Sequence, residues 1–160
     1  MKKGFTLIEL LVVVLIIGIL ASIAVPQYQA AVKRAQYTQL MIGVKAIITA
    51  QEEYRLANGE YGTSFDDLTL DLGPLREGST SSQWNLGKYA CRLVTVSTKL
   101  DQIYCSNRKG ERGGNSYLFD VISKKYDCYA YDGDKSSEKA CLSSGAKYSK
   151  TGEYFKIYTY

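Results

Sequence analysis

Glu9 is a carboxylate set inside a hydrocarbon-like stretch of sequence. From Phe5 to Val25 there are 21 residues of predominantly apolar character, about the ~20 that a helix needs to cross a bilayer. A charge at that depth costs roughly 2.5 to 3.5 kcal/mol on insertion scales and calls for a partner. No opposite charge lies within the segment. Elsewhere the candidate chemistry is thin. The chain has no histidine, no acid pair at a recognisable spacing and no nucleophile signature, so an enzyme active site is not expected and no cofactor is called for. Asp132, Asp134 and Glu138 offer oxygen atoms of the kind calcium takes, but this is the minor reading, and no metal ligand is assigned. Gly110 to Gly114 lacks the Gly-Lys-Ser/Thr ending of a phosphate loop and reads as a hairpin turn.

The four cysteines, Cys91, Cys105, Cys128 and Cys141, all lie in the C-terminal part. Their spacing does not match the paired C-x-x-C of zinc sites, so disulfides are the better reading, and they imply an oxidising compartment. Four cysteines allow three pairings. Cys91 with Cys105 and Cys128 with Cys141 are favoured, because each closes a short loop of a size that stabilises a fold by roughly 3 kcal/mol in the chain-entropy model.

These groups need elements to carry them. After the apolar run the helical period continues: Tyr28, Ala31, Val32, Ala35, Leu40, Met41, Val44, Ile47, Ile48, Gln51 and Tyr54 recur mostly at steps of three and four, the signature of an amphipathic second half. Asn58-Gly59 supplies the stop. One helix of about 80 Å follows at ~1.5 Å per residue, and its amphipathic stripe is read as domain core. Gly18 and Pro26 weaken it, with a bend or locally melted stretch between them and a static kink as the alternative. Tyr61, Phe65 and Leu68 are spaced to fasten a connecting loop to the helix, and Gly73-Pro74 with Gly78 to Ser82 mark an exposed connection. Strand composition follows over Tyr89 to Ser97, Tyr117 to Ile122 and Tyr126 to Tyr131, with a fourth strand near Tyr154 to Tyr158. Short connections imply an antiparallel sheet with one face on the helix, an α+β head.

The opening Lys2-Lys3-Gly4-Phe5-Thr6-Leu7-Ile8-Glu9 resembles the type IV pilins and their relatives, in which a short basic leader ends in glycine before Phe-Thr-Leu-Ile-Glu. The Asn58-Gly59-Glu60-Tyr61 turn with Phe65 and Leu68 is a second, less specific point of likeness to pilins and pseudopilins. The resemblance implies that a membrane peptidase cuts after Gly4 and that the amine of Phe5 is methylated. It also implies that this new ammonium partners Glu9 of a neighbouring subunit, which makes Glu9 the assembly determinant. It places a disulfide-closed loop where Cys128 and Cys141 stand. The competing cleavage site of an ordinary secretory signal, near Ala21 to Ala24, explains neither the Gly4-Phe5 junction nor Glu9.

The resulting expectation is a filament subunit with a leader at 1–4, a membrane or filament-core helix at 5–26, an amphipathic half at 27–58, a connecting loop at 59–88 and a disulfide-containing head at 89–160. It would start as a single-pass inner-membrane precursor and end in an extracellular pilus. Its partners would be further copies of itself, a prepilin peptidase and methyltransferase, and an inner-membrane assembly platform. A type II secretion pseudopilin is the alternative within the family. A nucleic-acid or surface receptor is the alternative of another class, carried by Lys99, Arg108, Lys109, Arg112, Lys124 and Lys125. Asp101, Glu111 and Asp127 are interleaved with those cations, which favours a solvated charged face. Removing Lys2 and Lys3 from the 20 basic residues leaves 18 against 16 acidic, a mild balance unlike that of a nucleic-acid-binding domain.

Overall fold

The computed structural model describes residues 6–70, 79–85, 89–107 and 115–160. Gly4, Phe5, the Gly73-Pro74 pair, the Gly110 to Gly114 turn and the cations Arg108, Lys109 and Arg112 lie outside the described residues. One helix, α1 (Leu7–Asn58), takes 52 residues. It begins where Thr6 adopts an extended backbone and its side chain accepts from the Glu9 N–H. It ends where Gly59 turns left-handed at φ +84° and donates its N–H to the Arg55 carbonyl at 2.8 Å, a conformation that only glycine enters without strain. The helix is continuous through Gly18 and Pro26.

Among the described residues seven strands form one sheet: β1 (Gln83–Asn85), β2 (Tyr89–Val96), β3 (Lys99–Asn107), β4 (Ser116–Asp120), β5 (Lys125–Tyr131), β6 (Lys147–Thr151) and β7 (Phe155–Thr159). A second helix, α2 (Lys135–Ser143), separates β5 from β6. The spatial order is β1-β2-β3-β4-β5-β7-β6, and every pair is antiparallel. The chain thus meanders through five strands, crosses over α2, and returns with a hairpin whose second strand docks on β5. This is the α+β arrangement expected, with the sheet lying on the C-terminal half of α1.

The core forms where that half of α1 meets the sheet. Tyr37, Leu40, Val44, Ile47 and Ala50 are buried against Ile103, Cys105, Tyr117, Phe119 and Cys128. Gln51 is 1 % exposed, and both ends of its amide are bonded: Nε2 donates to the Gly62 carbonyl at 2.8 Å and Oε1 accepts from the Gly62 N–H at 2.9 Å. That pair ties the loop after the helix back onto it, satisfying a buried amide that would otherwise be costly. Phe65 and Leu68 are buried beside it, as their spacing suggests.

One expectation needs correcting. The stripe read as core from Tyr28 onward is bare as far as Ala35: Tyr28 is 71 % exposed, and Ala31, Val32 and Ala35 are exposed as well. The head reaches down the helix only to Lys33 and Tyr37, where Asp134 at the start of α2 pairs with Lys33 and the Tyr129 carbonyl accepts from the Tyr37 hydroxyl. Helical period alone marks an apolar face without saying what covers it.

Candidate assembly site

At the N-terminal end of α1, Thr6 and Glu9 form a reciprocal pair. The Thr6 side chain accepts from the Glu9 N–H at 3.4 Å, while the Glu9 carboxylate accepts from the Thr6 N–H at 2.7 Å and the Thr6 hydroxyl at 2.6 Å. This is a capping box, in which the third helical residue reaches back to satisfy a donor the helix leaves orphaned. Glu9 therefore has a partner within its own chain, two neutral donors from Thr6, where composition alone suggested none. The signal was present as Thr6-x-x-Glu9 ahead of an apolar run. Oxygen Oε2 takes both bonds, and the pair carries a full negative charge with no cation beside it among the described residues.

Behind this cap stands a shaft with nothing on it. Its most apolar window has a mean hydropathy of 3.0 and is 0 % buried within the chain. Large side chains from Leu7 to Val25 are between 46 % and 82 % exposed. At roughly 1.5 to 3 kcal/mol per large apolar side chain, leaving this surface in water would cost on the order of tens of kcal/mol. It must be covered by lipid or by other apolar helices. Gly18 lies within the shaft, and a Cβ added there would meet nothing within 4 Å. That smooth spot permits close approach of another backbone.

The head that this shaft carries is cross-linked twice. Cys91 and Cys105 stand directly opposite each other across β2 and β3 and are joined. Cys128 on β5 is joined to Cys141 on α2, so the second bond fastens the crossover helix to the sheet. All four sulfurs are buried, at 0 to 1 % residue exposure.

Asp132, Asp134 and Glu138, weighed as calcium ligands, are spent on structure. Asp134 caps α2 by accepting from the backbone N–H groups of Ser136 and Ser137, takes the Ser137 hydroxyl at 2.6 Å, and lies 3.2 Å from the Lys33 ammonium. Burial pushes its carboxyl up, but the bonds from Ser136, Ser137 and Lys33 outweigh that and hold it well below the usual carboxylate range. Glu138 and Asp132 both pair with Lys156, at 2.8 and 3.5 Å. Among the described residues no group of three or more acids, cysteines or histidines is arranged to hold a metal ion.

The other candidates separate. Lys124 donates to the Tyr61 hydroxyl at 2.7 Å and lies over the Tyr61 and Phe119 rings. Tyr61 in turn donates to Glu52 at 2.6 Å, and its bond lowers the Glu52 carboxyl ahead of the smaller contribution of Arg55. Lys124 thus serves as a clamp between the β4–β5 turn and the end of α1, which removes it from a free basic surface. The tyrosine-rich end divides: Tyr158 is 3 % exposed, while Tyr148, Tyr154 and Tyr160 are 41 to 56 % exposed.

A bare apolar helix, opened by a capped glutamate and joined to a disulfide-linked antiparallel head, is a pilin-like architecture. Residues 1–25 match the family model of the prokaryotic N-terminal methylation motif. The chain is 47 % identical over 88 residues to a fimbrial protein of Pseudomonas aeruginosa, covering 51 % of this chain and 57 % of the relative. It is 49 % identical over 65 residues to the type IV major fimbrial protein FimA of Dichelobacter nodosus, covering 41 % and 42 %. Against the type II secretion system core protein G of Pseudomonas aeruginosa it is 35 % identical over 92 residues, covering 58 % and 65 %. The likeness thus spans about half the length of the curated relatives. No solved structure matches the chain. Over about half of its length the chain is thus similar to type IV fimbrial and type II secretion sequences, and its first 25 residues carry the prokaryotic N-terminal methylation motif.

Proposed function

We propose that this chain is a structural subunit of a type IV pilus filament. It is made as an inner-membrane precursor, cut after Gly4, methylated on Phe5, and polymerised through α1 into an extracellular fibre that supports adhesion, motility or DNA uptake. The observation that carries this reading is the bare apolar shaft with Glu9 at its head. Lipid covers such a shaft in the precursor, and helices of neighbouring subunits cover it in a fibre. Cleavage leaves an ammonium on Phe5, one residue before the Thr6 cap. The Glu9 charge, held by Thr6 alone among the described residues, gains most from an ammonium contributed by another subunit, because an ion pair in low dielectric repays its desolvation only when the opposite charge arrives. Gly18 and Pro26 give α1 its weakest stretch, where unwinding during packing would cost least. The relatives are named as fimbrial and secretion proteins, and the role proposed is structural rather than enzymatic.

Replacing Glu9 by alanine tests the reading. Cells expressing E9A should carry a chain that begins at methylated Phe5 in the membrane fraction, while the sheared filament fraction loses it at least tenfold. Filaments of undiminished yield from E9A, or a wild-type chain whose mass still includes Met1 to Gly4, would refute it. The likeness to core protein G favours a second reading, a subunit of a short secretion pseudopilus. In that case the processed wild-type chain stays with the envelope and is absent from the sheared fraction.

A further inference from the structure

A cavity of about 320 Å³ opens between the loop after α1 and the edge strand β1, away from the apolar shaft. Phe65, Leu68, Leu70 and Trp84 give it apolar walls, and Asp66, Ser79, Thr80 and Ser81 line the rest. That size lies at the lower end of small-molecule sites, ~300 to 1,000 Å³. Its two walls are stitched together: the Ser81 carbonyl accepts from the Phe65 N–H at 2.6 Å and from the Ser64 hydroxyl at 3.2 Å. Phe65 and Trp84 meet edge to face at 5.6 Å, 83° apart. The cavity is therefore held open by bonds within each copy of the chain.

We propose that this cavity binds a neutral pyranose, as a monosaccharide or the terminal ring of a glycan. A pyranose has one C–H-rich face and a rim of hydroxyls that both donate and accept. The cavity offers the complement. Trp84 is half-buried and lines the cavity, and its Nε1 is buried without a hydrogen-bond partner among the described residues, so the indole offers carbon surface to a stacking partner. The Asp66 carboxylate is exposed beside it and suits hydroxyl donors, and the hydroxyl side chains of 79–81 complete a polar rim. Among the described residues no lysine or arginine lines the cavity, and the Asp66 carboxylate repels anionic ligands. An ammonium ligand would need a cage of several accessible ring faces. Here Phe65 is 4 % exposed, which leaves Trp84 as the half-buried aromatic ring among the described lining residues.

Trp84 is the sole tryptophan in the chain, so its emission reports directly on this site. The full chain, in a detergent whose headgroup is neither sugar nor choline, is titrated with D-galactose, N-acetyl-D-glucosamine and D-mannose. Sorbitol and choline chloride serve as comparisons. At least one pyranose should shift or quench Trp84 emission saturably, with a Kd of about 1 mM, the weak range appropriate to a single ring. Asp66→Asn, which keeps the side-chain volume, should weaken it about tenfold while leaving the unliganded spectrum unchanged. Thr80→Val should weaken it several-fold. No saturable response to any pyranose up to 50-fold above ~1 mM overturns the proposal. So does an equal response to sorbitol, a response to choline alone, or retention of full affinity in both variants. The titration needs no filament, so its outcome is independent of E9A assembly.

Discussion

Gly43 makes a sharp test of how the head is packed. It lies on the buried side of α1 facing the Cys91–Cys105 bond, and a methyl built on it would come within 3.1 Å of the Cys105 Sγ and 3.4 Å of the Cys91 Sγ. Both distances fall below the ~3.5 to 4.0 Å of a relaxed non-bonded contact. The sulfurs have nowhere to go, because each belongs to a strand paired in register and the helix is anchored on either side by Leu40 and Val44. Two effects oppose each other in Gly43→Ala. Helix propensity favours alanine by about 1 kcal/mol, and overpacking a closed core costs about 1 to 3 kcal/mol. The net expectation is destabilisation by about 1 kcal/mol. In a Cys91→Ala/Cys105→Ala background the sulfurs are gone, the added methyl fills space, and the same substitution should stabilise by about 1 kcal/mol. The coupling of about 2 kcal/mol, opposite in sign between backgrounds, is the signature of direct contact. Urea unfolding of the full chain in detergent, followed through Trp84 emission in the neighbouring strand β1, measures it. Gly43→Ala stabilising both backgrounds equally would refute the reasoning, since propensity would then be the only effect present.

Removing the other bond acts through the unfolded chain. Cys128→Ala with Cys141→Ala opens a loop with a sequence separation of 13 and should lower head stability by about 3 kcal/mol, read as a matching loss in the urea midpoint. Asp134→Ala removes the cap of α2 and should cost about 1 to 2 kcal/mol at pH 7. The Asp134 carboxyl is held below its ordinary value of 3.8 in the folded head, so its contribution is fully present above about pH 5 and is lost as pH falls through the folded value. The gap between wild type and variant should therefore narrow below pH 4, and a gap that widens on acidification would contradict the assignment.

Much of this fold is visible in the sequence because its strongest signals are local. A run of apolar residues, an Asn-Gly stop and β-branched clusters each act over a few positions, and the long helix and the strands β2, β4, β5 and β7 follow from them. The missed elements are those whose pattern is interrupted. In β3 the buried residues are Leu100, Ile103 and Cys105, a step of three and then two. The register shifts between Val94 and Thr95 on the partner strand and leaves Asp101 as the extra residue, so strict alternation fails at that bulge. The helix α2 is short and polar, and its buried members include Ser137 at 0 % exposure, which no hydropathy pattern would place inside. The Thr6–Glu9 box was legible and overlooked in favour of charge. The Gly43 contact with the disulfide was not legible, because it joins residues 48 and 62 positions apart whose proximity exists only after the sheet has docked.

The two strands that end the sheet have a consequence for chains held side by side. Edge strands present unpaired N–H and C=O groups that can template further pairing. Here one edge, β1, is three residues long. The other, β6, is exposed along its whole length but carries Lys147 and Lys150, with a register break between Tyr148 and Lys150. In the proposed fibre, heads brought shoulder to shoulder would meet at very high local concentration, where two long flat rims would knit into an amyloid-like ribbon. A stub on one side and a charged, kinked rim on the other deny that route, so in the proposed fibre order would be left to the helices.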